Sequence, residues 1–231
     1  MCGRFSLSMT PAQWTEYLGL SEPPEFPARY NIAPGQDIPV VREEQGSRRL
    51  ALLHWGLIPF WAKDKNIGNR MINARMETLA EKPSFKKAFR TQRCLIPASG
   101  FFEWQKTDKG KTPFYIFRAD GGPIFFAGLW ENWADRERGE NIESCTIITT
   151  GATPLLKEIH DRMPVILGGA ETRNWLDPSI TDPEKLAEIL ASSGDLELDR
   201  HPVSDYVNSA KNEGERCIEP TGAGEGSVRD R

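Results

Sequence analysis

Long apolar runs are missing from this chain. No segment approaches the ~18 consecutive apolar residues of a membrane-spanning helix, so no membrane partner is expected. The first residues, Met-Cys-Gly-Arg-Phe, lack the basic stretch and following apolar stretch of a secretory signal. Cysteine is sparse: Cys2, Cys94, Cys145 and Cys217 are the four among 231 residues, and no two form a CxxC pair. That spacing suggests neither a zinc site nor a disulfide framework, so no metal and no cofactor are expected. The expected compartment is a reducing cytoplasm. There is no internal repeat, and nothing demands more than a monomer. The length suffices for one large domain with a real core.

Positive charge is also in deficit. The formal net charge is −4, which argues against a nucleic-acid partner. The distribution argues the other way. Between Lys63 and Arg93 lie nine basic residues (Lys63, Lys65, Arg70, Arg75, Lys82, Lys86, Lys87, Arg90 and Arg93) and three acids (Asp64, Glu77 and Glu81). A local basic surface on an acidic protein can hold a phosphate backbone, although a solvated helix face gives the same pattern.

What is present is a series of short segments rich in β-branched and aromatic residues. Residues 37–42, 49–55, 93–97, 99–106, 113–118, 124–130 and 144–150 read as strands separated by turn signals. Residues 11–20, 154–160 and 183–192 read as helices with proline near each start, and 77–90 as a helix interrupted near Pro83. The expected fold is a single α+β domain over residues 1–211, a curled antiparallel, barrel-like sheet with peripheral helices. Residues 212–231 are expected to form a C-terminal segment, flexible toward its end.

Cys2 has a special position. If Met1 leaves, Cys2 carries a free α-amine and a thiol on adjacent carbons, with ordinary pKa values near ~7.7–8.0 and ~8.5. An aldehyde condenses with the amine to an imine, and the thiol then closes a five-membered thiazolidine. The second step is intramolecular and correspondingly favoured. The plain alternative is an incidental cysteine.

Other residues have the chemistry to assist. Arg70, Asn73 and Arg75 share a short segment able to hold phosphate and orient a polar reactant. Alternatively Arg75 and Glu77 form a structural ion pair. Glu103 ends an apolar strand among aromatics, a setting for proton transfer, or is an ordinary strand glutamate. His160 lies where a helix passes into a strand and is the histidine best placed for acid–base work. The alternative is a helix-end histidine bound to a carbonyl, and His54 and His201 read as structural. Trp55 reads as core, whereas Trp61, beside Lys63, is placed to stack on an unpaired base.

Taken together, MCGR at 1–4, RYNIAP at 29–34, WGLIPFWAK at 55–63, INARMET at 72–78, RCLIPASGFFEW at 93–104, FAGLW at 126–130, TTGA at 149–152 and HDRMPVIL at 160–167 resemble the SOS response-associated peptidase (SRAP) family of abasic site processing proteins. The resemblance runs in order to about residue 210. It implies one α+β domain with a barrel-like sheet, and loss of Met1 by self-cleavage or by an aminopeptidase. It implies a thiazolidine between Cys2 and the ring-opened sugar of an abasic site in single-stranded DNA. On the same resemblance Asn73 orients the amine or the sugar, Glu103 moves protons, and His160 protonates the sugar oxygen. Arg4, Arg75 and Arg162 meet flanking phosphates, Phe60 and Trp61 stack or wedge beside the lesion, and Asn31 and Pro34 shape the pocket wall.

Three other readings stay open. An N-terminal nucleophile amidotransferase also begins Met-Cys-Gly, but the downstream pattern for glutamine is absent. A peptidase pairing Cys2 with His160 satisfies the general cysteine–histidine logic. A noncovalent reader of single-stranded DNA needs the basic surface and not Cys2.

Overall fold

A computed structural model describes residues 2–20, 26–108, 110–135, 139–192 and 196–221. In chain order the elements are β1 (Phe5–Leu7), α1 (Pro11–Leu18), β2 (Arg29–Ile32), β3 (Asp37–Glu44), β4 (Ser47–Trp55), β5 (Asn73–Arg75), α2 (Lys86–Thr91), β6 (Arg93–Ala98), β7 (Gly100–Thr107), β8 (Gly110–Arg118), β9 (Ile124–Asp135), β10 (Glu140–Gly151), α3 (Pro154–Lys157), β11 (Arg162–Pro164), β12 (Ile166–Leu167), α4 (Gly169–Leu176), α5 (Pro183–Ala191) and β13 (Leu198–Pro202). Single 3-10 turns cover Lys65–Arg70, Met76–Thr78, Asp205–Asn208 and Glu215–Cys217.

The expected barrel is present. β10, β4, β3, β6 and β9 follow one another around a ring, and pairing of β9 with β10 closes it. Most of these pairings are antiparallel, as alternating or wholly apolar short strands favour. Closure also uses a parallel pairing, in which Ser144 and Cys145 of β10 face His54 and Trp55 of β4. β11 and β12 extend the ring's sheet, and β5 pairs in parallel with β10. A second, five-stranded sheet runs in the order β13-β8-β7-β1-β2.

Strand β6, Arg-Cys-Leu-Ile-Pro-Ala, is buried along its whole length inside the ring. Phe5 joins the two sheets through ring contacts with Trp55 at 5.3 Å and Phe126 at 5.9 Å. Each such ring removes enough apolar surface from water to contribute about 2–3 kcal/mol. α1 begins with a capping box: Gln13 N–H donates to the Thr10 hydroxyl, and Thr10 N–H donates to Gln13 Oε1. It ends at Gly19 in the left-handed conformation.

The helix expected over 77–90 with an interruption near Pro83 is interrupted there, and only its part after Pro83 is α-helical. The chain makes the turn Met76–Thr78, passes Pro83 and becomes helical only over Lys86–Thr91. Proline lacks the N–H and blocks the preceding turn, so no helix continues through it. Six of the seven expected strands run longer than their sequence signals, β9 and β10 reaching twelve residues each as one hairpin, while β7 keeps the expected length shifted by one residue. α3 is shorter than expected. Residues 212–221 are packed on the domain, with Cys217 buried against Phe102, Tyr115, Val203 and Val207. Residues 222–231, the end of the segment expected to be flexible, lie outside the described residues. Among the described residues no helix is long and apolar enough to cross a membrane.

Candidate active site

β1 places Cys2. The strand pairs with β7 (Phe5 opposite Phe101), and the Phe102 N–H donates to the Arg4 carbonyl at 2.9 Å. Cys2 lies at the buried end of this pairing and is 0% exposed. Burial pushes its thiol well above the ordinary range; the Glu103 charge adds to the rise, and the Arg4 N–H directed at Sγ offsets part of it. Glu103, on the neighbouring β7, is itself buried.

β5 brings Asn73 to the same point. Its position is set by the parallel pairing with β10 and by the Trp55 indole, which donates to the Ile72 carbonyl at 2.9 Å. Asn73 Nδ2 donates to the Cys2 carbonyl at 2.8 Å. Its Oδ1 is buried and accepts no hydrogen bond from any described residue. A buried acceptor without a donor is costly, and such atoms are rare in folded proteins. Cys2, Asn73 and Glu103, distant in sequence, are therefore gathered at one point.

His160 and Arg162 come from the opposite side of β10. Thr149 of β10 faces Arg75 of β5 on one side and Pro164 of β11 on the other. His160 Nδ1 lies 2.9 Å from the Arg162 backbone nitrogen and 2.9 Å from Asp161 Oδ1. Arg162 does not present a free guanidinium. It binds Glu77 through both oxygens at 2.6 and 3.0 Å and the Thr149 carbonyl at 2.6 Å. The ion pair weighed for Arg75 with Glu77 is thus made by Arg162, and Arg75 is exposed. Thr149, the first residue of the TTGA stretch, is buried, and its hydroxyl donates to the Ala74 carbonyl at 3.4 Å.

Arg4 and Asn31 also differ from expectation. Arg4 Nη1 donates to Asn31 Oδ1 at 2.6 Å and to the Val207 carbonyl at 2.8 Å. Asn31 is fully buried, and its Nδ2 donates to the carbonyls of Val207, Ser209 and Asn212. The pair holds the C-terminal segment; Arg4 Nη1 is occupied internally and Asn31 is a clamp. Pro34 lies half-buried in the turn between β2 and β3, where Gly35 N–H meets the Trp55 carbonyl.

The aromatic and basic surface is present but smaller than the sequence suggests. Phe60 and Trp61 are 50% and 48% exposed, side by side on the loop after β4. Gly56 permits that loop to close on the Lys65–Arg70 turn: a side chain there would lie 2.8 Å from the Gly68 oxygen. Trp61, Lys63, Asn66 and Arg70 line an open depression of about 520 Å³. Lys63, Arg70, Arg75, Lys82, Lys86 and Arg90 are exposed. Lys65 pairs with Glu140, and Lys87 pairs with Glu131 while sitting 4.5 Å over the Phe60 ring. Arg93 is buried inside the domain, bound to the carbonyls of Trp175 and Asp177 at 2.6 Å each. Among the described residues no three His, Cys, Asp or Glu side chains are grouped to hold a metal ion.

Residues 1–210 match the SOS response associated peptidase (SRAP) family. The chain is 43% identical over 223 residues to abasic site processing protein YoqW of Bacillus subtilis, covering 95% of this chain and 99% of that one. It is 37% identical to abasic site processing protein YedK of Escherichia coli, over 95% of this chain and all of the relative. A crystal structure of a protein from Bacteroides thetaiotaomicron superposes with a TM-score of 0.82 at 26% identity, covering 95% of this chain and 99% of that one.

Proposed function

The chain belongs to the SOS response associated peptidase family, and from that membership and the site we propose that it processes abasic sites in single-stranded DNA by forming a thiazolidine at Cys2. The observation that carries the reading is the bond from Asn73 to the Cys2 carbonyl, with the unpartnered Oδ1 beside it. Relatives named abasic site processing proteins support the substrate.

Hydrolysis of the Met1–Cys2 bond, by the chain itself or by an aminopeptidase, comes first and releases the α-amine. Asn73 Oδ1 then has an N–H to accept. The abasic sugar opens to its aldehyde as His160 delivers a proton to the ring oxygen. The amine adds to the aldehyde carbon and water leaves, giving an imine. Glu103 takes the thiol proton, sulfur bonds to the same carbon, and the proton passes to the former imine nitrogen. One aldehyde and one aminothiol thus become one thiazolidine and one water. The product carries no aldehyde, so the strand is protected from β-elimination. Exposed Phe60 and Trp61 offer faces to unpaired bases, and the exposed cations beside them offer charge to the backbone. The protein acts as a cytoplasmic monomer in the response to DNA damage.

The test is a denaturing gel with a single-stranded oligonucleotide carrying one abasic site. A slow band that survives boiling is expected, with the mass of the chain without Met1 plus DNA minus water. Cys2→Ala, with Met1 removed, keeps the amine and should give only borohydride-trappable imine and nicked strands. A stable adduct from Cys2→Ala without reductant overturns the thiazolidine. Binding without any such band, equal in wild type and Cys2→Ser, supports the noncovalent reader.

A further inference from the structure

The C-terminal segment reaches the site from its far side and touches a neighbour of each of two reacting residues. Arg4, two residues after Cys2, is bound to the Val207 carbonyl and to Asn31. Trp104, the residue after Glu103, donates from Nε1 to Asn208 Oδ1 at 2.7 Å. The Arg4 guanidinium also lies 5.9 Å from the Trp104 ring. Asn31 fixes the same segment through the carbonyls of Val207, Ser209 and Asn212. Further along, Glu213 accepts from the Tyr30 N–H at 2.8 Å, and Cys217 is buried under the segment. Part of this anchoring, at Asn212, Glu213 and Cys217, lies beyond residue 210, where the family match ends.

We propose that residues 205–217 form a positioning strap that sets the separation of Cys2 and Glu103 by holding Arg4 and Trp104 from one side. Asn31, Trp104 and Asn208 are its positioning residues. The proposal rests on the function argued above, because it concerns the proton transfer from the Cys2 thiol to Glu103. Neighbouring strands β1 and β7 already share the hydrogen bond from Phe102 N–H to the Arg4 carbonyl. That bond fixes the backbones; the strap fixes how the strand ends lean toward each other. Small errors in such a geometry slow a reaction far more than they weaken binding.

The experiment is single-turnover crosslinking by the full chain, without Met1, to a single-stranded oligonucleotide with one abasic site, at saturating protein. Affinity is measured separately with the borohydride-reduced site, which has no aldehyde, and stability by thermal unfolding. Asn208→Ala and Trp104→Phe should each slow crosslinking by about three- to tenfold, the value of one hydrogen bond, with affinity unchanged. The double variant should be no slower than either single one, because both remove the same bond. Asn208→Asp keeps the acceptor oxygen and should restore the rate. Asn31→Ala should slow the reaction further; if it fails to fold, the Trp104 and Asn208 variants decide. Wild-type rates in those variants, or rates that fall only in step with affinity or melting temperature, overturn the strap alone. If the wild type forms no crosslink, the proposed function fails and the strap with it.

Discussion

Asn73 and Cys2 are joined by one hydrogen bond, from the Asn73 Nδ2 to the Cys2 carbonyl at 2.8 Å, while the other end of the same carboxamide is buried and accepts no hydrogen bond from any described residue. Among the described residues that acceptor, beside Cys2, is left without a donor.

Replacing Asn73 separates stability from reactivity. Asn73→Ala leaves the Cys2 carbonyl without its Asn73 donor but also removes a buried acceptor that no described residue satisfies, so the two partly offset and unfolding free energy should fall by about 1 kcal/mol. Crosslinking should slow by about ten- to a hundredfold, as for other preorganised polar groups at a reacting centre. Denaturant unfolding and a quenched gel time course check the two halves.

Glu103→Gln should move two readouts in opposite directions. The Cys2 thiol is raised first by burial and then by the Glu103 charge. Removing the charge lowers the thiol pKa toward its ordinary value near ~8.5, although burial still holds it higher. At a fixed alkaline pH more thiolate is present, and the pH profile of iodoacetamide alkylation at Cys2 should shift to lower pH. Crosslinking should nevertheless slow, because the proton acceptor is lost. A shift of the alkylation profile to higher pH would contradict the placement of Glu103.

Phe60→Ala with Trp61→Ala should weaken single-stranded DNA binding by about 1–3 kcal/mol for each base that stacks. Both rings are half exposed, so melting temperature should change little. Fluorescence anisotropy with the reduced abasic oligonucleotide measures the loss.

Arg93→Met should destabilise the domain by about 2–4 kcal/mol with little effect on DNA affinity. Burial pulls the Arg93 guanidinium down to about 10, and it links β6 to the end of α4 through the carbonyls of Trp175 and Asp177. Methionine fills the volume but leaves those carbonyls without their donor. A large loss of DNA binding at unchanged stability would place Arg93 on the surface instead.

The long strands were legible because β-branched and aromatic residues cluster in them and turn residues separate them. The three-residue strands β1, β5 and β11 carry too few residues to show a period, and they exist because longer neighbours pair with them. Among site residues, Cys2, Asn73 and Glu103 announce their chemistry by type and setting. The arginines do not. Whether a guanidinium meets phosphate or protein depends on its partner, and the partners are remote: Val207 for Arg4, Glu77 for Arg162, Trp175 and Asp177 for Arg93. Arg93 belongs by sequence to the basic stretch and by structure to the core. Asn31 is read as wall and found as clamp for the same reason, since the three carbonyls it binds lie near the other end of the chain.

Ring closure through β4 and β10, which pairs His54 with Ser144, has a consequence for synthesis. Contacts of such long sequence separation form late and slowly. While the ribosome is still working through the first half of the chain, Glu103 and the β7 strand that β1 pairs with have yet to emerge. The nascent chain therefore carries its amino end in open solvent, and folding withdraws it only once that distant strand has been made.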